Sequence, residues 1–163
     1  MSIDLNQASP YHLGANSGVD HMEAMGVEMR WLARSSDTGG LITLVQYKAP
    51  AGFGGPGLHV HTGEDEFFYV LRGTLKLQIG DSGIDLGEGG FAWGPRNVPH
   101  SFANHTDDEA VFLFGLTPGG LEAMFAEMFS YLNDAGADMD PAELVAINQR
   151  HGVATVGPPI ARS

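Results

Sequence analysis

Residues 57–73 read GLHVHTGEDEFFYVLRG, and this stretch decides the fold. Two short runs with strand-forming residues, 58–61 and 66–71, lie on either side of a polar turn. A second turn, Arg72-Gly73, joins the latter run to another at 74–79. Short runs of this kind, separated by tight turns, are typical of antiparallel strands, and a two-residue turn that ends in glycine indicates a hairpin. The stretch therefore predicts three consecutive strands, the last two of them paired.

Short predicted strands continue on both sides of this stretch. They lie at residues 27–33 and 41–47 before it, and at 84–86, 91–93, 99–104 and 110–116 after it. Turn residues separate them at the spacing that is typical of all-β sandwiches and barrels. Several runs are apolar on both faces, as expected if the outer face meets a second sheet or a partner subunit.

The pattern changes at Pro118. Six apolar residues after it have helical spacing: Leu121, Met124, Phe125, Met128, Phe129 and Leu132. Asp140 before Pro141 predicts the start of a second helix, and Gly152 predicts its end. The predicted organisation is an N-terminal arm (1–26), an all-β barrel (27–118), and two C-terminal helices with a tail packed on the barrel (119–163).

The composition excludes several classes of function. Eight Lys and Arg residues stand against 20 Asp and Glu residues, a formal net charge of −12, which predicts that the chain binds neither nucleic acid nor an anionic membrane. The chain has no cysteine, so disulfides, thiolate metal sites and cysteine nucleophiles are excluded. Residues 1–13 lack a cationic region followed by an apolar stretch, which predicts no secretory signal and a cytoplasmic location.

Two histidines stand as His59-Val60-His61 on a predicted strand. Side chains alternate along a strand, so both imidazoles point to the same face. A carboxylate from the next turn and strand can reach the same point, and spacing alone leaves Glu64, Asp65 and Glu66 as candidates. With His100 from a later strand, the set offers three nitrogens and one oxygen to a divalent transition metal. The competing interpretation is that each histidine is an ordinary hydrogen-bonded core residue.

The spacing of these residues resembles the cupin superfamily. His59-X-His61-(X4)-Glu66-(X6)-Gly73 is similar to the first cupin motif. The resemblance selects Glu66 among the three carboxylates, because only Glu66 has the family's spacing to the hairpin glycine.

The second cupin motif is matched by Gly89-(X5)-Pro95-X-Asn97-(X2)-His100-(X3)-Asn104. The family usually has glycine where Asn97 stands, and asparagine is the residue that next best adopts a left-handed backbone. The turn is therefore expected to be retained.

The resemblance implies a double-sheet jelly-roll β-barrel with a metal inside its mouth. It also implies four ligands, His59, His61, Glu66 and His100, and one divalent transition metal per chain. Nickel, manganese, cobalt, iron, copper and zinc are all compatible with this ligand set.

Several apolar side chains are expected to form a substrate pocket around that metal. Phe68 and Val70 share a strand face with Glu66, and Phe102 shares one with His100; Tyr47 and Trp93 are further candidates. Such a pocket suits a small aromatic or hydrophobic substrate. The competing interpretation is that these side chains fill the barrel core. Met124 and Phe125 lie on the first predicted helix, which either packs outside the barrel or closes over its mouth as a lid.

More narrowly, the chain resembles small single-domain bacterial cupins that are similar to quercetin 2,3-dioxygenase. The residues that carry this likeness are 57–61, 64–71, 95–100, 117–120 and 152–159. The resemblance implies that a flavonol or similar aromatic enol is cleaved with O2, and that Glu66 acts as the general base. The alternatives are an oxygen-independent isomerase, cyclase, dehydratase or decarboxylase, and a small-molecule-binding cupin without catalysis. We also expect a homodimer that buries an edge strand.

Overall fold

The structure, a computed structural model, describes residues 9–162 and consists of two antiparallel sheets followed by two helices. The first eight residues of the predicted N-terminal arm, and Ser163 of the predicted tail, lie outside the described residues. The strands are β1 (Asp20–Ala24), β2 (Val27–Ala33), β3 (Thr43–Ala49), β4 (His59–His61), β5 (Asp65–Arg72), β6 (Leu75–Ile79), β7 (Ser82–Leu86), β8 (Phe91–Gly94), β9 (His100–Ala103), β10 (Ala110–Thr117) and β11 (Val153–Thr155), and the helices are α1 (Glu122–Ala135) and α2 (Pro141–Arg150).

The two sheets are built from strands that are distant in sequence. One sheet has the order β1-β2-β3-β10-β5-β8, and the other has the order β11-β4-β9-β6-β7. The chain therefore crosses repeatedly from one sheet to the other, as jelly rolls do. The prediction of a mostly β, double-sheet jelly roll with two C-terminal helices is confirmed.

Glycine is required at the hairpin between β5 and β6. Gly73 has a φ of +80°, and a Cβ there would stand 2.8 Å from the Glu109 carbonyl oxygen. A side chain would therefore be strained by the backbone conformation and would also collide with the neighbouring loop.

The core between the sheets is aromatic. The ring of Tyr47 stacks on Phe112 with 5.0 Å between centroids and meets the edge of Phe102 at 5.5 Å. Phe68 lies 5.8 Å from Phe102, and Val70 is fully buried in the same cluster. The mutual packing of these four predicted pocket residues, Tyr47, Phe68, Val70 and Phe102, accounts for their burial. Their role in a substrate pocket stays a prediction.

The prediction that Trp93 lines the pocket is wrong. Side chains alternate along β8, where Ala92 and Gly94 are buried while Phe91 and Trp93 face outward, 58% and 45% exposed. Trp93 pairs with Phe67, which lies on the face of β5 opposite to Glu66.

Exposed apolar side chains cover the outer face of β5 and β8. We call this group the outer apolar patch; it comprises Tyr69, Leu71, Phe91 and Trp93. The patch explains why the sequence of these strands is apolar on both faces. Two of its residues belong to β8, an edge strand of the six-stranded sheet.

The predicted N-terminal arm contains a strand that the sequence did not reveal. Residues 20–24 form β1, which pairs antiparallel with β2 from Asp20–Trp31 to Ala24–Val27. Part of the predicted arm is therefore regular structure, which the sequence did not show because this edge strand depends on pairing with β2.

Both predicted helices are present and pack against the sheets. Phe125 of α1 contacts Trp31 at 5.8 Å and Phe114 at 5.6 Å between ring centroids. Met124 lies in a second apolar cluster with Ile147 of α2 and Val153 of β11. Within residues 9–162, no helix has both the length and the apolar character that crossing a membrane requires.

The beginning of α1 is tied to the six-stranded sheet by polar contacts. The Glu122 carboxylate accepts hydrogen bonds from the Ser35 amide at 2.6 Å and from the Thr43 hydroxyl at 2.7 Å. The α2 helix begins as predicted, because the Asp140 side chain accepts a hydrogen bond from the Ala142 amide and Pro141 occupies the first helical position.

Candidate metal centre

Four buried side chains converge between the two sheets: His59, His61, Glu66 and His100. Each offers one ligand atom, and these atoms all lie within 4.8 Å of one another. The four residues are 7%, 2%, 4% and 0% exposed, respectively. Two ligands at about 2.0–2.2 Å from one metal ion stand roughly 3–4 Å apart, so the cluster has the dimensions of a metal site.

Strand geometry accounts for the convergence of the histidines. His59 and His61 are alternate residues of β4 and point to the same side, and His59 pairs with His100 of the neighbouring β9. The loop before β9 is held to β4 by a hydrogen bond from the Asn97 amide to the His61 carbonyl oxygen at 2.8 Å. Asn97 has a φ of +64°, which confirms the left-handed turn predicted at this position.

The three candidate carboxylates have separate places. Asp65 faces away from Glu66 and pairs with Arg96, which donates to it from its backbone amide at 2.8 Å and its guanidinium at 3.0 Å. The guanidinium and backbone amide of Arg96 lower the pKa of Asp65 to about 2. Glu64 lies outside the cluster, beside His61, and Glu66 is inside it. The structure thus selects the carboxylate that the motif spacing selected.

Backbone carbonyls orient two of the three imidazoles. His59 Nδ1 lies 2.8 Å from the Gly57 carbonyl oxygen, and His100 Nδ1 lies 2.9 Å from that of Val98. An Nδ1–H that donates to a carbonyl leaves Nε2 free to bind a metal. These two carbonyl contacts were not anticipated from the sequence, since they depend on the backbone turn that precedes each histidine.

Burial and neighbouring charges shift the pKa values of His59 and Glu66. Burial and the nearby charge of His100 lower the pKa of His59 to about 4, so its imidazole is neutral at pH 7. Burial also acts to raise the pKa of Glu66, but the hydrogen bond from His100 and its positive charge outweigh this effect, and the pKa lies below its ordinary value. His100 Nε2 and Glu66 Oε2 are 2.9 Å apart. In the metal-free chain, Glu66 is therefore a buried carboxylate paired with His100.

The His61 imidazole tests whether a metal fits here. Both of its ring nitrogens are buried and lack a hydrogen-bond partner within the described part of the chain. Its Nε2 lies 3.5 Å from Glu66 Oε2, beyond good hydrogen-bond distance. Unpaired buried polar atoms are rare in folded proteins, and a metal ion at the centre of the cluster would supply the missing partner for Nε2. The donor set of three imidazoles and one carboxylate suits a divalent transition metal.

Comparisons with known proteins agree with this fold and site. Residues 46–115, which include all four clustered side chains, match a family model described as a cupin domain. No curated protein matches the chain.

Solved structures with the same fold include one described as an RmlC-like cupin. An RmlC-like cupin from Shewanella frigidimarina is similar with a TM-score of 0.55 and 16% identity over 69% of this chain and 95% of that one. A predicted oxalate decarboxylase from Thermotoga maritima has a TM-score of 0.56 and 22% identity over 64% and 95% of the two chains. KdgF from Halomonas sp. has a TM-score of 0.56 and 17% identity over 64% of this chain and 90% of that one. At these identities the similarity establishes the fold alone, and the family match is to a cupin domain over residues 46–115.

Proposed function

We propose that this chain is a metal-dependent enzyme that acts on a small organic molecule with an acidic hydroxyl or enol group. The observation that carries the proposal is the four-residue cluster, in which a buried carboxylate stands among three imidazoles. Perturbed, buried titratable groups of this kind are concentrated at functional sites.

The residues of the cluster have distinct proposed roles. His59, His61 and His100 would hold the metal through Nε2, and Glu66 would provide the carboxylate ligand. When bound, the metal would supply a Lewis acid that makes a hydroxyl or enol group of the substrate more acidic. Glu66 is kept anionic by its surroundings, so it can accept the proton as a general base. Burial excludes competing water from this proton transfer.

The finer proposal is a quercetinase-like dioxygenase that cleaves a flavonol or a similar aromatic enol with O2. It is supported by the sequence resemblance over residues 57–61, 64–71, 95–100, 117–120 and 152–159, and by a ligand set compatible with nickel, manganese, cobalt or iron. The solved structures with the same fold do not bear on the reaction.

Oxygen uptake with a panel of flavonols tests this finer proposal. Protein loaded separately with each of the four metals is expected to consume O2 with at least one flavonol and to release carbon monoxide in equal amount. The metal-free chain is the control and is expected to consume none. Absence of uptake with every metal would contradict the dioxygenase proposal and leave the fold and the site unaffected.

A second candidate is an oxygen-independent reaction such as isomerisation, cyclisation, dehydration or decarboxylation. The packing of the core favours considering it, because Tyr47 and Phe68 both pack against Phe102. Proton transfer by Glu66 needs no oxidant. Turnover that continues without O2 would support this candidate, and a ligand that binds but is never converted would favour a binding protein without catalysis.

We also propose that the chain is a homodimer through the outer apolar patch. The patch includes residues of the edge strand β8. An edge strand can pair antiparallel with the same strand of a second copy around a twofold axis, which makes this surface self-complementary. Sedimentation velocity is expected to show a dimer for the wild type and a monomer for Trp93→Ser. Leu41→Ser, at a site that is 73% exposed elsewhere, is the control and should stay dimeric. A monomeric wild type, or a dimer unaffected by Trp93→Ser, would contradict the proposal.

A further inference from the structure

His61 differs from the other two histidines in the surroundings of Nδ1. His59 and His100 each place Nδ1 at a carbonyl oxygen two residues earlier in the chain, at 2.8 and 2.9 Å. His61 Nδ1 is buried and has no such carbonyl within the structure from residue 9 to 162. The third imidazole of the cluster therefore needs another acceptor.

The group that stands at His61 Nδ1 is the Glu64 carboxylate. Glu64 Oε2 lies 3.8 Å from Nδ1, and its side chain is only 20% exposed. The two neighbouring acidic residues are engaged elsewhere, since Asp65 binds Arg96 and Glu66 binds His100. Glu64 is thus the carboxylate of this turn that faces a metal-binding histidine from outside the cluster.

The distance of 3.8 Å is longer than a hydrogen bond, so the Glu64 carboxylate would have to move closer for the bond to form. Gly120 also lies near this carboxylate, and a Cβ at that position would stand 3.4 Å from Glu64 Oε1. Because Gly120 has no side chain, it leaves room beside the carboxylate. A movement of roughly 1 Å would bring Oε2 within hydrogen-bond distance of Nδ1.

Metal binding creates the need for this hydrogen bond. A neutral imidazole that coordinates a metal through Nε2 carries its proton on Nδ1. A buried N–H without an acceptor is costly, and histidine ligands almost always donate this proton to a carboxylate, carbonyl or water.

We propose that Glu64 is a positioning residue that accepts the His61 Nδ1–H when a metal binds. It would hold His61 in the tautomer that presents Nε2 to the metal, and it would add a negative charge next to the cation. This inference rests on the proposed metal centre, and it assigns to the residue before Asp65 a role distinct from that of Glu66, which contacts the metal itself.

Zinc affinity and histidine NMR test the role of Glu64. Competition titrations with a chelating indicator would compare the wild type with Glu64→Ala, Glu64→Gln and the control Glu109→Gln, an exposed carboxylate elsewhere. Glu64→Ala is expected to weaken zinc binding by about 10- to 100-fold, which is the usual effect of losing such an outer partner. Glu64→Gln retains an oxygen acceptor without the charge, so its zinc affinity should lie between those of Glu64→Ala and the wild type. The zinc affinity of Glu109→Gln should equal that of the wild type.

The NMR readout is the exchange of the His61 Nδ1 proton with solvent in the zinc-loaded protein. It is expected to be slow in the wild type and faster in Glu64→Ala, while the Nδ1 protons of His59 and His100 are unchanged. Thermal unfolding of the metal-free variants checks that each is folded.

Two outcomes would overturn the proposal, and they can be told apart. If Glu64→Ala binds zinc as tightly as the wild type and His61 Nδ1–H exchange is unchanged, the role of Glu64 is wrong while the metal centre stands. If the wild type itself binds no zinc, the metal centre fails, and the role of Glu64 fails with it.

Discussion

Replacing His100 by alanine is expected to remove most of the bound metal and all metal-dependent turnover. His100 is fully buried, and its Nε2 lies 2.9 Å from Glu66 Oε2 at the centre of the cluster. The substitution removes one of four ligands and also leaves the buried Glu66 carboxylate without its hydrogen-bonded partner. Loss of one partner of a buried ion pair costs about 3–5 kcal/mol of folding free energy, so the variant should also be less stable.

The measurement is the metal content per chain after loading and gel filtration, together with the rate of substrate consumption. His105→Ala is the matched control, because His105 is five residues away in sequence and lines a cavity outside the cluster with Lys76 and Asp85. It should retain one metal per chain. A folded His100→Ala variant with one metal per chain would contradict the four-ligand assignment.

Replacing Glu66 by glutamine is expected to reduce turnover far more than metal content. Glutamine has almost the same shape and keeps an oxygen that can bind a metal, so the three histidines should still retain most of the ion. The amide cannot accept a proton as a carboxylate does, and loss of a general base typically lowers the rate by about 10²- to 10⁴-fold.

Metal content and turnover must be measured on the same preparation of this variant. Glu109→Gln, at an exposed site, is the control for the loss of one negative charge and should behave as the wild type. If Glu66→Gln loses metal and turnover in the same proportion, Glu66 is a ligand only. If it keeps full turnover, the proton acceptor is another group.

Much of the candidate metal centre could be predicted from the sequence because it depends on local geometry. The alternation of side chains along β4 places His59 and His61 on one face wherever that strand lies. The tight turns at Gly73 and Asn97 determine where the next strands begin, and both turns are visible as residues that tolerate a positive φ.

What the sequence could not predict depends on contacts between distant segments. Trp93 lies in a short strand that is apolar on both faces, so its direction is decided only by the pairing of β8 with β5. Strand β1 is largely polar and gains its structure from β2. Tyr47, Phe68 and Phe102 point inward as expected, but the sequence does not tell how closely rings from the two sheets approach each other.

The three acidic residues Glu64, Asp65 and Glu66 illustrate both what the sequence could predict and what it could not. Motif spacing selected Glu66, and alternation places Asp65 on the opposite face of β5. The partner of Asp65, however, is Arg96, which lies in a loop 31 residues later. The position of Glu64 beside His61 depends on the turn between β4 and β5, which a pattern of residues does not specify.

The most direct test of the metal centre is anomalous diffraction from crystals of the metal-loaded chain, recorded at the absorption edge of the metal. The proposal predicts one strong peak per chain, within bonding distance of Nε2 of His59, His61 and His100 and of a carboxylate oxygen of Glu66. A peak at any other group of residues, or no peak between these four side chains in a chain that carries one metal, would contradict it.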